Sequence, residues 1–145
     1  MPTNKALLDK VKTQKGDPYI YGTEVDLNDP NPKAFDCSEL VEWTCAQIGV
    51  QPKMPDGALY QFRHCAKYKK LIVVNEALKT PGALLFRFSP DADPLTGEPD
   101  ERHVAISQGD GTTFEARGKK FEIGPFSAYG RGWTNAALIP GLEYV

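Results

Sequence analysis

The chain is short of cysteine and histidine and has no long apolar run. Its three cysteines are an odd number, so a framework in which every cysteine forms a disulfide is excluded. No stretch is long and apolar enough to span a membrane, and residues 1–9 lack the apolar core of a secretory signal. A net charge of -2 argues against nucleic-acid binding driven by charge. We therefore expect neither a membrane nor a nucleic acid as a partner.

Internal repeats and low-complexity tracts are also missing from the sequence. Charged residues make up 25% of the chain and hydrophobic residues 41%, which is ordinary for a globular protein. The length of 145 residues is close to the common domain size and long enough to bury a core. We expect one domain over residues 1–145.

One cysteine stands at the first position of a predicted helix. Asp36 is a good N-cap residue for a helix that begins at Cys37, and Glu39 can close a capping box onto the Asp36 N–H. Apolar residues then recur at helical spacing and put Cys37 on the inward face of the helix. A helix N-terminus favours an anion, and cysteine reacts as a thiolate. The pattern predicts a nucleophile held against a partner.

The partner follows from a predicted hairpin. Two β-prone segments, 102–107 and 112–117, flank the turn-rich residues 108–111. Pairing of Ser107 with Gly111 across a three-residue loop is the register that we expect. It brings His103 directly opposite Glu115 on one face of the sheet, with Cβ atoms about 5 Å apart. Cysteine, histidine and carboxylate together match a nucleophile, its base, and the group that orients the base.

The other cysteines and acidic residues suggest no cofactor. Cys45 lies on the buried stripe of its helix, and the adjacent His64 and Cys65 lack further ligands at metal-binding spacing. The acidic residues within 89–101 do not have the spacing of an EF-hand loop, so a solvated hairpin loop is the better interpretation. We expect no metal and no organic cofactor.

The order of predicted elements is helices first and then an antiparallel sheet, which indicates an α+β domain with about five strands. The predicted helices are 5–15, the helix from Cys37, 58–68 and a turn at 74–78, and the strands are 83–88, 102–107, 112–117, 119–126 and 136–139. The loop 23–34 either forms a wall of the cleft or is a plain surface insertion. The helix bearing Cys37 should pack on the sheet that bears His103.

With these residues in view, the chain from about residue 10 to 145 resembles the NlpC family of papain-like bacterial cell-wall cysteine peptidases. The matching segments, in order, are 16–22 (GDPYIYG), 36–38 (DCS), 80–86 (TPGALLF), 102–106 (RHVAI) and 109–116 (GDGTTFEA). Each segment alone is common, and their order and spacing together carry the resemblance.

The resemblance implies a papain-like fold and roles for individual residues. Cys37 would be the nucleophile, His103 the general base and Glu115 the third polar residue of the site. Tyr19 would border the oxyanion. Asp36 and Ser38 match positions that help some relatives to hold the amino end of the substrate.

Three positions depart from the family pattern. Thr23 and Glu39 each stand where glycine is usual, and Glu115 stands where His, Asn or Gln is more frequent. A carboxylate at the third position would orient the imidazole and also add charge, which favours a thiolate–imidazolium pair. We therefore expect a more charge-coupled site than in relatives with a neutral third residue.

The resemblance also implies the substrate, a peptidoglycan stem peptide cleaved between γ-D-glutamate and a diamino acid. Arg63, Arg102 and Arg117 are candidates for binding its carboxylates, or are simply solvated. An amidase or transacylase on the same scaffold and a non-catalytic wall-binding module remain as alternatives. Without a recognisable signal or wall-binding repeat, the chain would act at the cell wall as a phage lysin, a tail-associated hydrolase or an injected effector, or serve in recycling.

Overall fold

A computed structural model describes residues 1–145. It contains four helices and one six-stranded antiparallel sheet. In chain order the elements are α1 (Asn4–Lys12), α2 (Cys37–Gln47), α3 (Ala58–Lys67), β1 (Leu71–Ile72), α4 (Val74–Ala77), β2 (Leu84–Phe88), β3 (Arg102–Ser107), β4 (Thr112–Glu115), β5 (Gly124–Ser127) and β6 (Asn135–Ala137). The strands lie in the order β1-β6-β2-β3-β4-β5. The predicted α+β class is confirmed, and the sheet has one strand more than expected.

Helix α2 begins at Cys37, as the capping pattern predicts. The Asp36 side chain accepts a hydrogen bond from the Glu39 N–H at 2.9 Å and so caps the first turn. The reciprocal half of the capping box does not form. The Glu39 carboxylate instead accepts the N–H of Val25 at 2.9 Å, which ties the preceding loop to the helix.

The sheet has two different faces. Alternate residues of β2 and β3, among them Phe86 and Val104, face α2 and α3 in the main apolar core. Phe62 of α3 packs edge-on against Phe86 at 5.3 Å between ring centroids. A smaller apolar cluster around Leu85 lies on the other face. The helix with Cys37 therefore packs on β3, the strand with His103, as expected.

The register of the β3–β4 hairpin differs from the prediction by two residues. Ser107 pairs with Thr113 rather than with Gly111. His103 is consequently diagonal to Glu115 and not directly opposite it. Because side chains alternate with a period of two, a two-residue shift keeps both side chains on the same face. His103 and Glu115 are therefore in contact despite the difference in register.

Element ends also differ from the sequence prediction. The strand expected at 119–126 is confined to β5 because the Phe121 N–H closes a turn onto the Gly118 carbonyl. Helix α1 ends at Lys12, three residues before the predicted end. Strand β1 was not predicted, since two residues carry too little pattern. No helix here has the length and apolar character that crossing a membrane requires.

The loop 23–34 packs along α2 through its backbone carbonyls. Trp43 donates its indole N–H to the Asp29 carbonyl at 2.7 Å, and Gln47 donates to the Leu27 carbonyl at 2.7 Å. The segment just before this loop, which includes Tyr19 and Tyr21, lines the cleft instead. The loop is therefore a support for α2 and not the cleft wall.

Candidate active site

The predicted nucleophile and base line one cleft where α2 and β3 begin. This cleft has a volume of about 300 Å³ and is bordered by Cys37, His103 and Tyr19, with Asp36 and Ser38 beside them. A larger hollow of about 510 Å³ lies between residues 87–101 and 132–135, but it contains neither cysteine nor histidine. The smaller cleft is the one that can carry nucleophilic chemistry.

Cys37 is a neutral thiol in the resting site. Burial and, to a smaller extent, the nearby Asp36 carboxylate raise the pKa of Cys37 to about 11. Backbone N–H groups of Val104 and Ser38 act in the opposite direction by hydrogen bonding to the sulfur. The helix N-terminus thus favours the anion as expected, but desolvation outweighs it. Removal of the thiol proton requires a base.

His103, the predicted base, is hydrogen-bonded to a carboxylate. His103 Nε2 lies 2.7 Å from Glu115 Oε1, and both residues are buried, with exposed fractions of 7% and 1%. Hydrogen bonding at one ring nitrogen fixes the imidazole plane and leaves Nδ1 as the atom that can exchange a proton. The structure therefore joins His103 to Glu115, and His103 lines the cleft that also holds Cys37.

Glu115 also binds a cation that sequence reasoning missed. Arg131 Nη2 donates to Glu115 Oε1 at 2.6 Å and Arg131 Nη1 donates to Glu115 Oε2 at 3.1 Å, while the Thr113 hydroxyl also donates to Oε2. Burial alone would raise the pKa of Glu115, but hydrogen bonds from His103, Arg131 and Thr113 lower it to about 2. Glu115 is therefore ionised at any working pH.

Trp133 supports both partners of Glu115. Its ring stacks on His103 at 5.9 Å with an interplanar angle of 21°, and the Arg131 guanidinium lies 4.9 Å from its centroid. The indole N–H donates to the Ala128 carbonyl at 2.8 Å and holds the ring in place. No sequence motif marks Arg131 or Trp133. The only available signal was that a buried carboxylate needs a cation.

Tyr19 lines the same cleft as Cys37. Burial raises the pKa of Tyr19 to about 12, and the negative charge of Asp36 contributes to the rise. A backbone bridge to Phe35 fixes the residue next to the start of α2. The phenol is therefore protonated and can donate a hydrogen bond into the cleft.

Asp36 and Ser38 are occupied by structural contacts. Asp36 Oδ2 accepts the Gly22 N–H at 3.2 Å, and its Oδ1 accepts the Ser38 hydroxyl at 3.3 Å. These bonds hold the Tyr19–Gly22 segment against the helix N-terminus. Both residues still border the cleft, where the Asp36 carboxylate adds negative charge.

A cluster of three carboxylates lies behind the helix start. Oxygens of Glu39, Glu42 and Asp56 are all within 4.8 Å of one another, close enough to hold a metal ion together. Burial and the hydrogen bond with Asp56 raise the pKa of Glu39 to about 8. Lys53 is the one cation in contact, with its Nζ 3.6 Å from Glu42 Oε2.

Comparison with known proteins places this arrangement in a family. The model of the NlpC/P60 family matches residues 16–140. No curated protein matches the chain. The fold is papain-like and is shared with solved NlpC/P60 structures.

Three solved structures illustrate the likeness. The NlpC/p60 domain of the peptidoglycan hydrolase SagA is 22% identical, with a TM-score of 0.71 over 94% of this chain and 99% of that one. The peptidoglycan hydrolase RipB of Mycobacterium tuberculosis is 24% identical, with a TM-score of 0.71 over 97% and 65%. The P60 domain of an antigen from M. avium subspecies paratuberculosis is 21% identical, with a TM-score of 0.71 over 97% and 96%.

Proposed function

Because the chain belongs to the NlpC/P60 family, we propose that it is a cysteine peptidase that hydrolyses amide bonds in peptidoglycan stem peptides. The observation that carries the proposal is a cleft lined by Cys37 and His103 in which the imidazole is hydrogen-bonded to a buried, ionised Glu115. Nucleophile, base and orienting group are the minimum set for acyl transfer through a thioester.

The first step is formation of the thioester. His103 Nδ1 accepts the Cys37 thiol proton as the sulfur attacks the amide carbonyl, since the pKa of Cys37 leaves the thiol neutral beforehand. The resulting imidazolium is stabilised by the Glu115 carboxylate at 2.7 Å. The imidazolium then gives its proton to the leaving amine, and the carbon–nitrogen bond breaks.

The negative oxygen of the tetrahedral intermediate needs hydrogen-bond donors. Backbone N–H groups at the start of α2 and the protonated Tyr19 hydroxyl are the donors at this end of the cleft. In the second half of the reaction, His103 deprotonates a water that hydrolyses the thioester. The cycle ends with the thiol and the neutral imidazole restored.

The substrate is proposed from the relatives. SagA and RipB are both described as peptidoglycan hydrolases, and this chain has their fold. We propose the bond between γ-D-glutamate and a diamino acid as the one cleaved. In this proposal Asp36 and Ser38 contribute to holding the amino end of the peptide, because they border the cleft next to Cys37.

Digestion of purified peptidoglycan tests the proposal. Wild-type protein should release peptides whose new amino terminus belongs to a diamino acid, as identified by mass spectrometry. Cys37→Ala should release none, whereas the matched variant Cys45→Ala, which alters a buried core thiol, should retain cleavage. New termini at a different amide would support an amidase instead. Transfer of the acyl group to an amine acceptor would indicate a transacylase. Binding to the wall without any cleavage would indicate an interaction module.

A further inference from the structure

Three arginines line a second part of the cleft, next to His103. Arg87, Arg102 and Arg117 border a hollow of about 460 Å³ that His103 also lines and that Cys37 does not. They come from three different segments of the sheet: Arg87 from β2, Arg102 from β3, and Arg117 from the chain just after β4. The fold therefore gathers cations on the base side of the site.

Two of these arginines flank His103 along the sheet. Arg87 is the direct cross-strand partner of His103 in the β2–β3 pair, so the two side chains share a face. Arg117 comes two residues after Glu115, beyond the end of β4, and lines the same hollow as His103. Both arginines therefore border the site on the His103 side.

None of the three arginines is neutralised by the protein. No carboxylate oxygen lies within 4.0 Å of their nitrogens, although Asp100 and Glu101 border the same hollow. Each side chain is instead held by a neutral contact that leaves other N–H groups free. Arg87 donates to the Arg131 carbonyl at 3.4 Å, Arg102 donates to the Pro99 carbonyl at 2.8 Å, and Arg117 lies 4.6 Å from the Phe121 ring centroid.

Arg63 does not belong to this group. It donates to the carbonyls of Pro94 and Gly97 and so holds the loop between β2 and β3. The opposite part of the cleft, around Cys37, carries the carboxylates of Asp36 and Asp56. Arg102 lines both parts, whereas Arg87 and Arg117 line only the hollow next to His103, where arginines outnumber the carboxylates of Asp100 and Glu101.

We propose that Arg87, Arg102 and Arg117 form a subsite for a carboxylate carried by the leaving amine fragment. This inference rests on the proposed function, because His103 protonates the leaving amine and that fragment therefore lies on the His103 side. Guanidinium groups bind carboxylates through paired, charge-assisted hydrogen bonds. The substrate class is an amide whose departing residue bears a free carboxylate close to the cleaved bond.

Two synthetic peptides that differ in one group test the subsite. The substrates are L-alanyl-γ-D-glutamyl-L-lysine and its C-terminal carboxamide, in which the lysine carboxylate is replaced by a neutral amide. We expect kcat/KM to be about tenfold higher for the free carboxylate. In the triple variant Arg87→Gln/Arg102→Gln/Arg117→Gln this ratio should fall close to one, and each single variant should lower it about twofold. Lys79→Gln, which removes an exposed charge away from the cleft, should keep the ratio.

A binding measurement separates this proposal from the proposed function. Cys37→Ala is titrated calorimetrically with each peptide, so that no turnover is needed. Tighter binding of the free carboxylate that disappears in the arginine variants supports the subsite, even if the wild-type protein cleaves neither peptide. Equal affinity for both peptides, or a preference that remains after all three arginine substitutions in a variant with unchanged melting temperature, overturns it.

Discussion

Two buried glutamates in this protein have opposite protonation behaviour. Glu115 and Glu39 are almost equally buried, with exposed fractions of 1% and 3%. The pKa of Glu115 falls to about 2 because cationic and hydroxyl donors surround it, whereas the pKa of Glu39 rises to about 8 because burial is combined with a neighbouring Asp56. Burial alone therefore does not decide the charge of a carboxyl group; the neighbours do.

The two glutamates also link stability to pH in opposite directions. Glu115, whose folded pKa lies below its ordinary 4.5, stabilises the fold above that value, and this contribution is lost as the pH falls towards about 2. Glu39 has a folded pKa above 4.5, so its contribution is complete below that value and is lost as the pH rises through about 8. The same protein thus contains an ionised carboxylate next to His103 and a neutral carboxylic acid next to Asp56.

Breaking the Arg131–Glu115 pair should have the largest effect on stability. Either Arg131→Gln or Glu115→Gln leaves one buried partner uncompensated, which costs about 3 kcal/mol of unfolding free energy. The double variant should cost less than the sum of the two, because neither charge remains unpaired. Urea unfolding at neutral pH measures the unfolding free energies of the two single variants and the double variant. Strictly additive costs would contradict a coupled pair.

Activity should separate Glu115 from His103. In Glu115→Gln the amide oxygen can still accept the imidazole N–H, so orientation is kept while the charge is lost. We expect kcat/KM to fall about tenfold to a hundredfold, with measurable turnover remaining. His103→Ala should lower activity to the level of Cys37→Ala, because no base then remains. Unchanged kcat/KM in Glu115→Gln would remove Glu115 from the mechanism.

The variant Glu39→Gln tests whether the pKa of Glu39 is raised in the folded protein. The glutamine mimics the neutral acid and can still accept the Val25 N–H. At pH 9 the variant should be more stable than the wild type by at least about 1 kcal/mol, and its melting temperature should be higher by at least about 3 °C. At pH 5 the two should be alike. The exposed Glu76→Gln is the control and should show no such pH dependence; a Glu39→Gln curve that follows it would refute the raised pKa.

The smallest effect is expected at Lys53. Its Nζ lies 3.6 Å from Glu42, as a counterpart to Arg131, but the Lys53 side chain is 63% exposed. Lys53→Gln should therefore change the unfolding free energy by less than about 0.5 kcal/mol at physiological salt. A loss as large as that of Arg131→Gln would mean that exposure does not distinguish these two ion pairs.

The sequence predicted the parts of the site that local rules encode. Asp36 marked the helix start, and the alternation of strand residues kept His103 and Glu115 on one face despite a two-residue error in register. These inferences depend on short-range periodicity, which survives small errors.

Long-range contacts were not predictable from such patterns. Arg131 reaches Glu115 from a segment without regular structure, 16 residues further along the chain. Glu39 fits a capping box locally, yet its carboxylate bonds to Val25, 14 residues earlier. In both cases a buried carboxyl group is hydrogen-bonded to a residue that is distant in the sequence, and local spacing does not predict such a contact.

Alkylation of the protein with iodoacetamide is the most direct test of the proposal that Cys37 is the nucleophile. Cys45 and Cys65 are only 1% and 0% exposed, whereas Cys37 is partly exposed in the cleft, so one carboxamidomethyl group should appear, on Cys37. Intact-mass spectrometry and peptidoglycan hydrolysis are followed in the same samples. Hydrolysis should fall in proportion to the labelled fraction of Cys37 and reach zero at full labelling. Full activity in protein whose Cys37 is completely labelled would show that Cys37 is not the nucleophile.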